Sequence, residues 1–317
     1  MERTKIVKHF LFHSIKKDIL RKIPEIRYYN RSYLAKIKKF SQFFFMKLLH
    51  PNMPKITGIE LSNYCCLECP NCPTPITKFH KGFASEENIK LALKYGTIKE
   101  PFSFHRHGEP FMHKDFLKYL RIATNMGYKT VVSTNGILLD DEKIKELAEI
   151  RPWDMEISLH TKESVAAFKK MTQYLIDNDI EFPSYYGNVL SHNEEDVYKW
   201  LDELEVSKEI RKYLRRIYSH SWAGNVESRK SSYNPEIVKR RIETCYFIKN
   251  DYVSVRWDGS IVACCMDSEN ETVIGELKNA VNVRQNKKGY ALCTHCDASW
   301  VNKYEAHEVK GIGQNEL

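Results

Sequence analysis

No part of the 317-residue chain approaches the roughly 20 consecutive apolar residues of a membrane-spanning helix. The longest apolar run, Phe43-Phe44-Phe45-Met46, is cut by Lys47. The N-terminal region lacks a continuous apolar core followed by a small-residue cleavage site, so it does not read as a secretory signal. Residues 1 to 50 hold no nucleic-acid recognition motif. Low-complexity disorder is excluded by a hydrophobic content of 42% and a charged content of 28%. Without a secretory pattern, the expected compartment is cytoplasmic. There, nine cysteines point to metal ligation rather than to disulfides.

Acidic residues are scarce only at the start of the chain. The net charge is +8, but residues 1 to 50 alone carry +10 and the remainder −2. Ile6, Phe10, Leu11, Ile15, Ile19 and Ile23 recur at helical spacing up to Pro24, and Leu34, Ile37, Phe44 and Leu48 do so up to Pro51. Residues 1–55 are therefore expected to be a basic helical extension packed beside the body with a solvated lysine face. An anionic partner is the sharper alternative.

From residue 56 on, strand-like and helix-like runs alternate, the pattern of βα units on a parallel sheet. Strands are expected at 56–62, 102–105, 130–133, 155–159, 182–190 and near 217–219, with helices between them. In a barrel of such units, functional residues gather at the carboxyl ends of strands. After the first strand stands Cys65-Cys66-Leu67-Glu68-Cys69-Pro70-Asn71-Cys72. Cys65, Cys69 and Cys72 follow a C-x3-C-x2-C spacing that lets three thiolates converge, and thiolate is the soft ligand that iron–sulfur clusters require. Cys66 lies off that spacing and is expected to be a buried non-ligand. Zinc is the other metal that such thiolates suit.

This motif, just after the first strand, resembles the hallmark of the radical S-adenosylmethionine (SAM) enzymes. The resemblance implies a partial (β/α)6 TIM-type barrel over residues 56–224. It also implies a [4Fe-4S] cluster on Cys65, Cys69 and Cys72, whose open iron binds SAM. One electron, from a donor such as flavodoxin or ferredoxin, would cleave SAM to a 5′-deoxyadenosyl radical that abstracts hydrogen from the substrate. His105-Arg106-His107-Gly108-Glu109-Pro110 after the second strand resembles the family's Gly-Gly-Glu-Pro motif, with His107 in place of the first glycine. Gly108 and Glu109 would then orient SAM. Ser133-Thr134-Asn135-Gly136 is similar to the family's Thr-Asn-Gly pattern, and Ser158 stands where a polar residue approaches the ribose. The residue before the third cysteine, often aromatic in relatives and packed near the adenine, is here Asn71. His105, His107, His160 and His220 are candidate proton carriers at the barrel mouth, each equally suited to packing.

A second group of cysteines occupies residues 225–317. Cys245 is followed by Gly259 and Cys264, and Cys293 and Cys296 form a C-x2-C pair. Asp258-Gly259 between two β-rich runs signals a hairpin, and a helix is expected within 276–290. The pattern resembles the shorter, twitch form of the SPASM region, because no cysteine follows Cys296. The resemblance implies one auxiliary [4Fe-4S] cluster on Cys245, Cys264, Cys293 and Cys296, within a small C-terminal hairpin and helix subdomain. Cys265, adjoining Cys264, remains the alternative ligand, and structural zinc the alternative metal. The function expected is hydrogen abstraction from a small polar, carbohydrate-like molecule, ending in oxidation. A peptide substrate is the second expectation, and a zinc-binding nucleic-acid interaction protein is the competitor from another class.

Overall fold

The strand-and-helix alternation is realised from Lys55 to Ile217. The chain runs through β1 (Lys55–Ile59), α1 (Glu86–Tyr95), β2 (Phe102–Ser103), α2 (Phe116–Asn125), β3 (Thr130–Thr134), α3 (Asp141–Ile150), β4 (Asp154–Ser158) and α4 (Lys162–Asp177). It continues through β5 (Ser184–Leu190), α5 (Glu194–Glu203), the short α6 (Lys208–Arg211) and β6 (Leu214–Ile217). After these come α7 (Tyr246–Asn250), β7 (Tyr252–Val255), β8 (Ser260–Val262) and β9 (Val273–Glu276). The computed structural model describes residue 39 and most of the chain to Cys296; residues 1–38, 40, 43, 47, 218–221, 224, 225, 227–238, 240, 241 and 297–317 lie outside the described residues. The first expected N-terminal helix and His220 fall in that excluded set.

Local chemistry starts the helices where the sequence predicts. Ser85 caps α1 by accepting from the Asn88 N–H at 3.1 Å, and Glu86 and Glu87 fill its first turn. Asp140 and Thr161 cap α3 and α4 in the same way. The far end of α1 is closed less predictably. Lys39 is 3% exposed, and its Nζ donates to the carbonyls of Leu93 at 2.6 Å and Lys94 at 2.7 Å. At this position the expected solvated lysine face gives way to a buried lysine, because the last carbonyls of a helix have no partners within it.

One sheet runs through the molecule in the order β6-β5-β4-β3-β2-β1-β7-β8-β9. Every neighbouring pair from β6 to β7 is parallel, and the β7–β8 and β8–β9 pairs are antiparallel. The expected hairpin is present as β7 and β8, but it also joins β1 edge to edge, with Lys55 opposite Tyr252 and Ile56 opposite Val253. Parallel pairing of strands almost 200 residues apart leaves no local sequence signal. Three other expectations shift. β6 begins at Leu214, ahead of its expected place. A third strand, β9, follows the hairpin. The region 276–290 holds a 3₁₀ helix, Leu277–Asn282, in place of an α-helix, with Asn279 breaking the helical backbone inside it.

The apolar faces of the strands turn outward to the helices. In β4, Met155 and Ile157 are fully buried against the helical layer, while Asp154, Glu156 and Ser158 alternate to the other face. In β5 the outward Gly187 meets the Phe168 ring of α4, where a Cβ would lie 2.7 Å from the ring. Such buried rings each contribute about 2 to 3 kcal/mol by burial.

Candidate functional site

The inward strand positions decide what the barrel can hold. A packed barrel fills its interior with branched apolar side chains. Here the inward residues include Thr57, Ser103, Ser133, Glu156, Asn188, Arg215 and Ser254, and they line a cavity of about 840 Å³. Glu156 accepts from Arg215 at 2.7 Å and from the Asn188 amide at 2.8 Å; the Asn188 carbonyl oxygen accepts from the Arg215 Nε–H at 3.1 Å. Three charged or polar side chains thus close a ring across β4, β5 and β6. Sequence reading by motif missed them, although a Glu and an Arg within otherwise apolar-alternating strands are themselves a signal.

The rim of the same cavity carries the residues singled out in sequence. Cys65, Cys69 and Cys72 all line it, together with His105, His107, Gly108, Glu109, Asn135, Ser158 and His160. Burial first, with a smaller push from neighbouring cysteines, raises the Cys65 thiol to about 11 and the Cys69 thiol to about 12. Half-buried thiols of this kind suit a cationic metal core, which deprotonates its sulfur ligands on binding. Among the described residues, no group of three or more His, Cys, Asp or Glu side chains is gathered as a single metal ion would require. Cys66 corrects one expectation: it is exposed, not buried. Adjacent residues of an extended loop point opposite ways, so Cys65 takes the inward place and leaves Cys66 outside.

Glu109 sits 1% exposed where three donors meet its carboxylate. Phe111 N and Thr134 Oγ1 donate to Oε1 at 3.1 and 2.7 Å, and Asn135 N donates to Oε2 at 2.8 Å. The carboxylate ties the turn after β2 to the turn after β3, and burial still raises its pKa to about 7. Asn135 in turn extends its amide to Cys66 Sγ at 3.4 Å and Cys65 Sγ at 3.6 Å. Gly108 has φ +75° and lies so near the main chain of Ser62, Asn63 and Tyr64 that a Cβ would come within 2.7 Å of it. Its glycine is required by chain-to-chain contact with the start of the cysteine loop.

Trp222 completes the rim. Its indole N–H donates to the Asn71 carbonyl at 3.0 Å, and its ring stands edge-on to His107 with centroids 5.2 Å apart. An aromatic side chain from a distant segment therefore lies beside Asn71, the position where relatives often carry their own.

Of the four candidate histidines, the three that lie among the described residues are held neutral by burial. The pKa of His105 is lowered, that of His107 lies well below the usual range, and that of His160 falls to about 4. A neutral imidazole presents one N–H and one acceptor nitrogen, and burial makes a full positive charge on these rings costly. For His160 the folded pKa is below the unfolded one, so its contribution is present above about pH 6.5 and lost as pH falls toward 4. Replacing His160 with Asn should flatten the acid limb of the stability profile between pH 6.5 and 4 by about 1 to 2 kcal/mol, allowing for its partial exposure. Urea midpoints at several pH values check this, and an unchanged slope would refute the assignment.

The second group of cysteines shares one neighbourhood. The charges of Cys264 and Cys245 act on Cys293, whose thiol is raised to about 11 chiefly by burial. Burial likewise raises Cys245, with Cys264 beside it. Met266 N donates to Cys264 Sγ and Tyr290 N to Cys293 Sγ, each at 3.4 Å. Cys296 packs with Cys264 and Cys265 around Met266 and Leu292. Cys265 is the member of the Cys264-Cys265 pair that lines the main cavity.

Comparison with known proteins places this geometry. Residues 59–178 match the family described as the Radical SAM superfamily. A PqqA peptide cyclase of Rhodopseudomonas palustris is 27% identical over 174 residues, which cover 53% of this chain and 41% of that protein. The chain thus spans less than half the length of that relative. The tungsten-containing aldehyde ferredoxin oxidoreductase cofactor-modifying protein of Pyrococcus furiosus is 26% identical over 260 residues, 66% of this chain and 70% of that protein. The solved structure of native anSMEcpe with bound AdoMet shares the fold, with a TM-score of 0.51, 16% identity, and coverage of 78% of this chain and 88% of that one. Among the described residues, no helix is long and apolar enough to cross a membrane.

Proposed function

We propose that this chain, whose residues 59–178 match the Radical SAM superfamily, is an enzyme that binds a [4Fe-4S] cluster and SAM and abstracts hydrogen from a small polar molecule held inside the barrel. Enzyme chemistry displaces the competing expectation of a zinc-binding nucleic-acid protein. The observation that carries the substrate reading is a single cavity with cysteine thiols at its rim and polar, charge-paired side chains on its inner strands.

Cys65, Cys69 and Cys72 would hold the cluster, and Gly108, Glu109, Asn135 and Ser158 would line the SAM site beside it. When bound, this pair supplies the organic radical that the protein itself cannot make. The residues of the chain do the rest. Glu109 has one acceptor position left after its three internal hydrogen bonds, suited to an ammonium group. Glu156, Asn188 and Arg215 present acceptors and donors in a fixed ring, which orients hydroxyl or amino groups of a bound molecule and rejects apolar ones. His105, bonded through Nδ1 to Ser103 Oγ at 3.0 Å, and His160 stand at the rim as neutral hydrogen-bonding groups for a bound substrate. Cys245, Cys264, Cys293 and Cys296 would hold an auxiliary cluster that takes up or relays the second electron.

A peptide substrate is the second reading, favoured by the match to PqqA peptide cyclases. Deuterium transfer separates the two. The enzyme, reduced anaerobically with SAM, is given a fully deuterated small-molecule extract or a deuterated peptide fraction, and the mass of the 5′-deoxyadenosine is read. Label is expected from the small-molecule fraction only, and Glu156→Gln should cut it at least about tenfold, the equivalent of one buried charged hydrogen bond. Label arriving solely from peptides would transfer the conclusion to the second reading.

A further inference from the structure

The sequence motif at the end of β2 does more than face SAM. Arg106, between His105 and His107, is 7% exposed and turns away from the strand toward the C-terminal cysteine loop. Its Nη2 donates to the carbonyl of Cys264 at 3.4 Å and also to that of Asp267. The next residue, His107, lies near the Cys265 main chain. The turn after β2 therefore grips the segment 264–267 at two carbonyls, those of Cys264 and Asp267.

Behind them lies a buried charge cluster. Glu60, 1% exposed at the end of β1, accepts from His107 N at 3.1 Å and has Arg106 Nη1 at 3.9 Å. Arg256, 1% exposed, donates to the Asp267 carbonyl at 3.0 Å. The Asp267 carboxylate is spent on its own turn, accepting from the N–H groups of Glu269, Glu271 and Thr272 and from Thr272 Oγ1. Arg106 Nε and Nη1 have no hydrogen-bond partner among the described residues, so Arg106 keeps donors and positive charge in reserve beside two cysteines.

We propose that Arg106 is a positioning residue that couples the two cysteine centres, holding the Cys264–Asp267 loop in place and raising the reduction potential of the cluster on that loop. This rests on the reading of Cys264 as a ligand of an auxiliary cluster. The electrostatic reason is general. Reduction adds one negative charge to a cluster, and a fixed cation a short way off in a low-dielectric interior stabilises the reduced form more than the oxidised one. The mechanical reason is the planar guanidinium, which fixes Nη2 against both carbonyls at once, whereas an ammonium on a flexible stem carries no such plane.

The test is an EPR-monitored redox titration of the reconstituted wild-type enzyme, R106Q and R106K, with iron and sulfide counted in each. R106Q is expected to lower the midpoint potential of the C-terminal cluster while shifting that of the SAM-site cluster less, or to lose the C-terminal cluster and about half the iron. R106K keeps the charge but loses the planar group that fixes Nη2 on both carbonyls, so it should hold a near wild-type potential with reduced loading of that cluster. R106Q with both clusters at wild-type loading and potential overturns the proposal. Should R106Q fail to fold, wild-type loading and an unaltered spectrum in R106K overturn it instead. A single cluster in the wild type would remove the auxiliary-cluster reading and this inference together, whereas two clusters with an unaltered R106Q remove only the inference.

Discussion

Cys72→Ala should yield a folded protein that forms no detectable 5′-deoxyadenosine from SAM and dithionite and that carries about half the wild-type iron. Cys65, Cys69 and Cys72 share the rim of one cavity, and the charges of Cys72 and Cys65 act on Cys69. Three thiolates are the fewest that hold a four-iron cube with a single open corner, so loss of one removes the cluster rather than weakening it. Cys245→Ala should produce the complementary result. It too should lose about half the iron, from the other centre, yet retain SAM cleavage, because Cys245 neighbours Cys264 and Cys293 instead. Cys66→Ala should change neither quantity, since that thiol is exposed. Iron and acid-labile sulfide counts with product chromatography read all three. Full SAM cleavage by Cys72→Ala would contradict the assignment of this loop, and undiminished iron in Cys245→Ala would contradict the second.

The second large effect is on stability. Glu60→Gln should lower the unfolding free energy by about 3 to 5 kcal/mol, a large part of the total of about 5 to 15 kcal/mol typical of a domain. The amide still accepts the His107 N–H, so the backbone contact survives. What is lost is a carboxylate charge that two buried guanidiniums share, those of Arg106 and Arg256, both of which act on Glu60. Burial pushes the Glu60 carboxyl up while the two arginines pull it down. Removing the anion leaves Arg106 bonded to the carbonyls of Cys264 and Asp267, and leaves Arg256 with the Asp267 carbonyl, the Phe79 ring and the more distant charges of Asp267 and Asp258. An anaerobic urea titration measures the loss, and the double variant Glu60→Gln, Arg106→Gln should recover part of it, because it removes one unbalanced charge. A midpoint within about 0.5 kcal/mol of wild type would mean that Glu60 does not balance those charges.

The two effects divide as the residues do between chemistry and architecture. The cysteine spacing and the turn His107-Gly108-Glu109 were legible because each is a local pattern with one chemical purpose. The structure adds that Glu109 is already bound by Phe111, Thr134 and Asn135, so the second and third strand ends form one unit around it. Gly108 likewise serves the meeting of two chain segments at Ser62 to Tyr64. The ring of Glu156, Asn188 and Arg215 was hidden for a different reason. Each lies on a separate strand, and register alone, with Asn188 opposite Arg215 and Glu156 opposite Tyr186, brings them together.

Alternation of apolar and polar residues along each strand, with capping residues at the helix starts, determined the βα units, the outward core and the strand ends that line the cavity. The thiol spacing determined which residues present soft donors. Sheet order was decided only in three dimensions. That β1 lies between β2 and β7 depends on which long-range pairings bury the most apolar surface, a property of the whole chain rather than of any window within it. From that adjacency follows the buried contact of Glu60, Arg106, Arg256 and Asp267, whose members come from segments as far apart as residues 60 and 267. Their charges tolerate burial only because the fold brings opposite signs and free carbonyls to the same point.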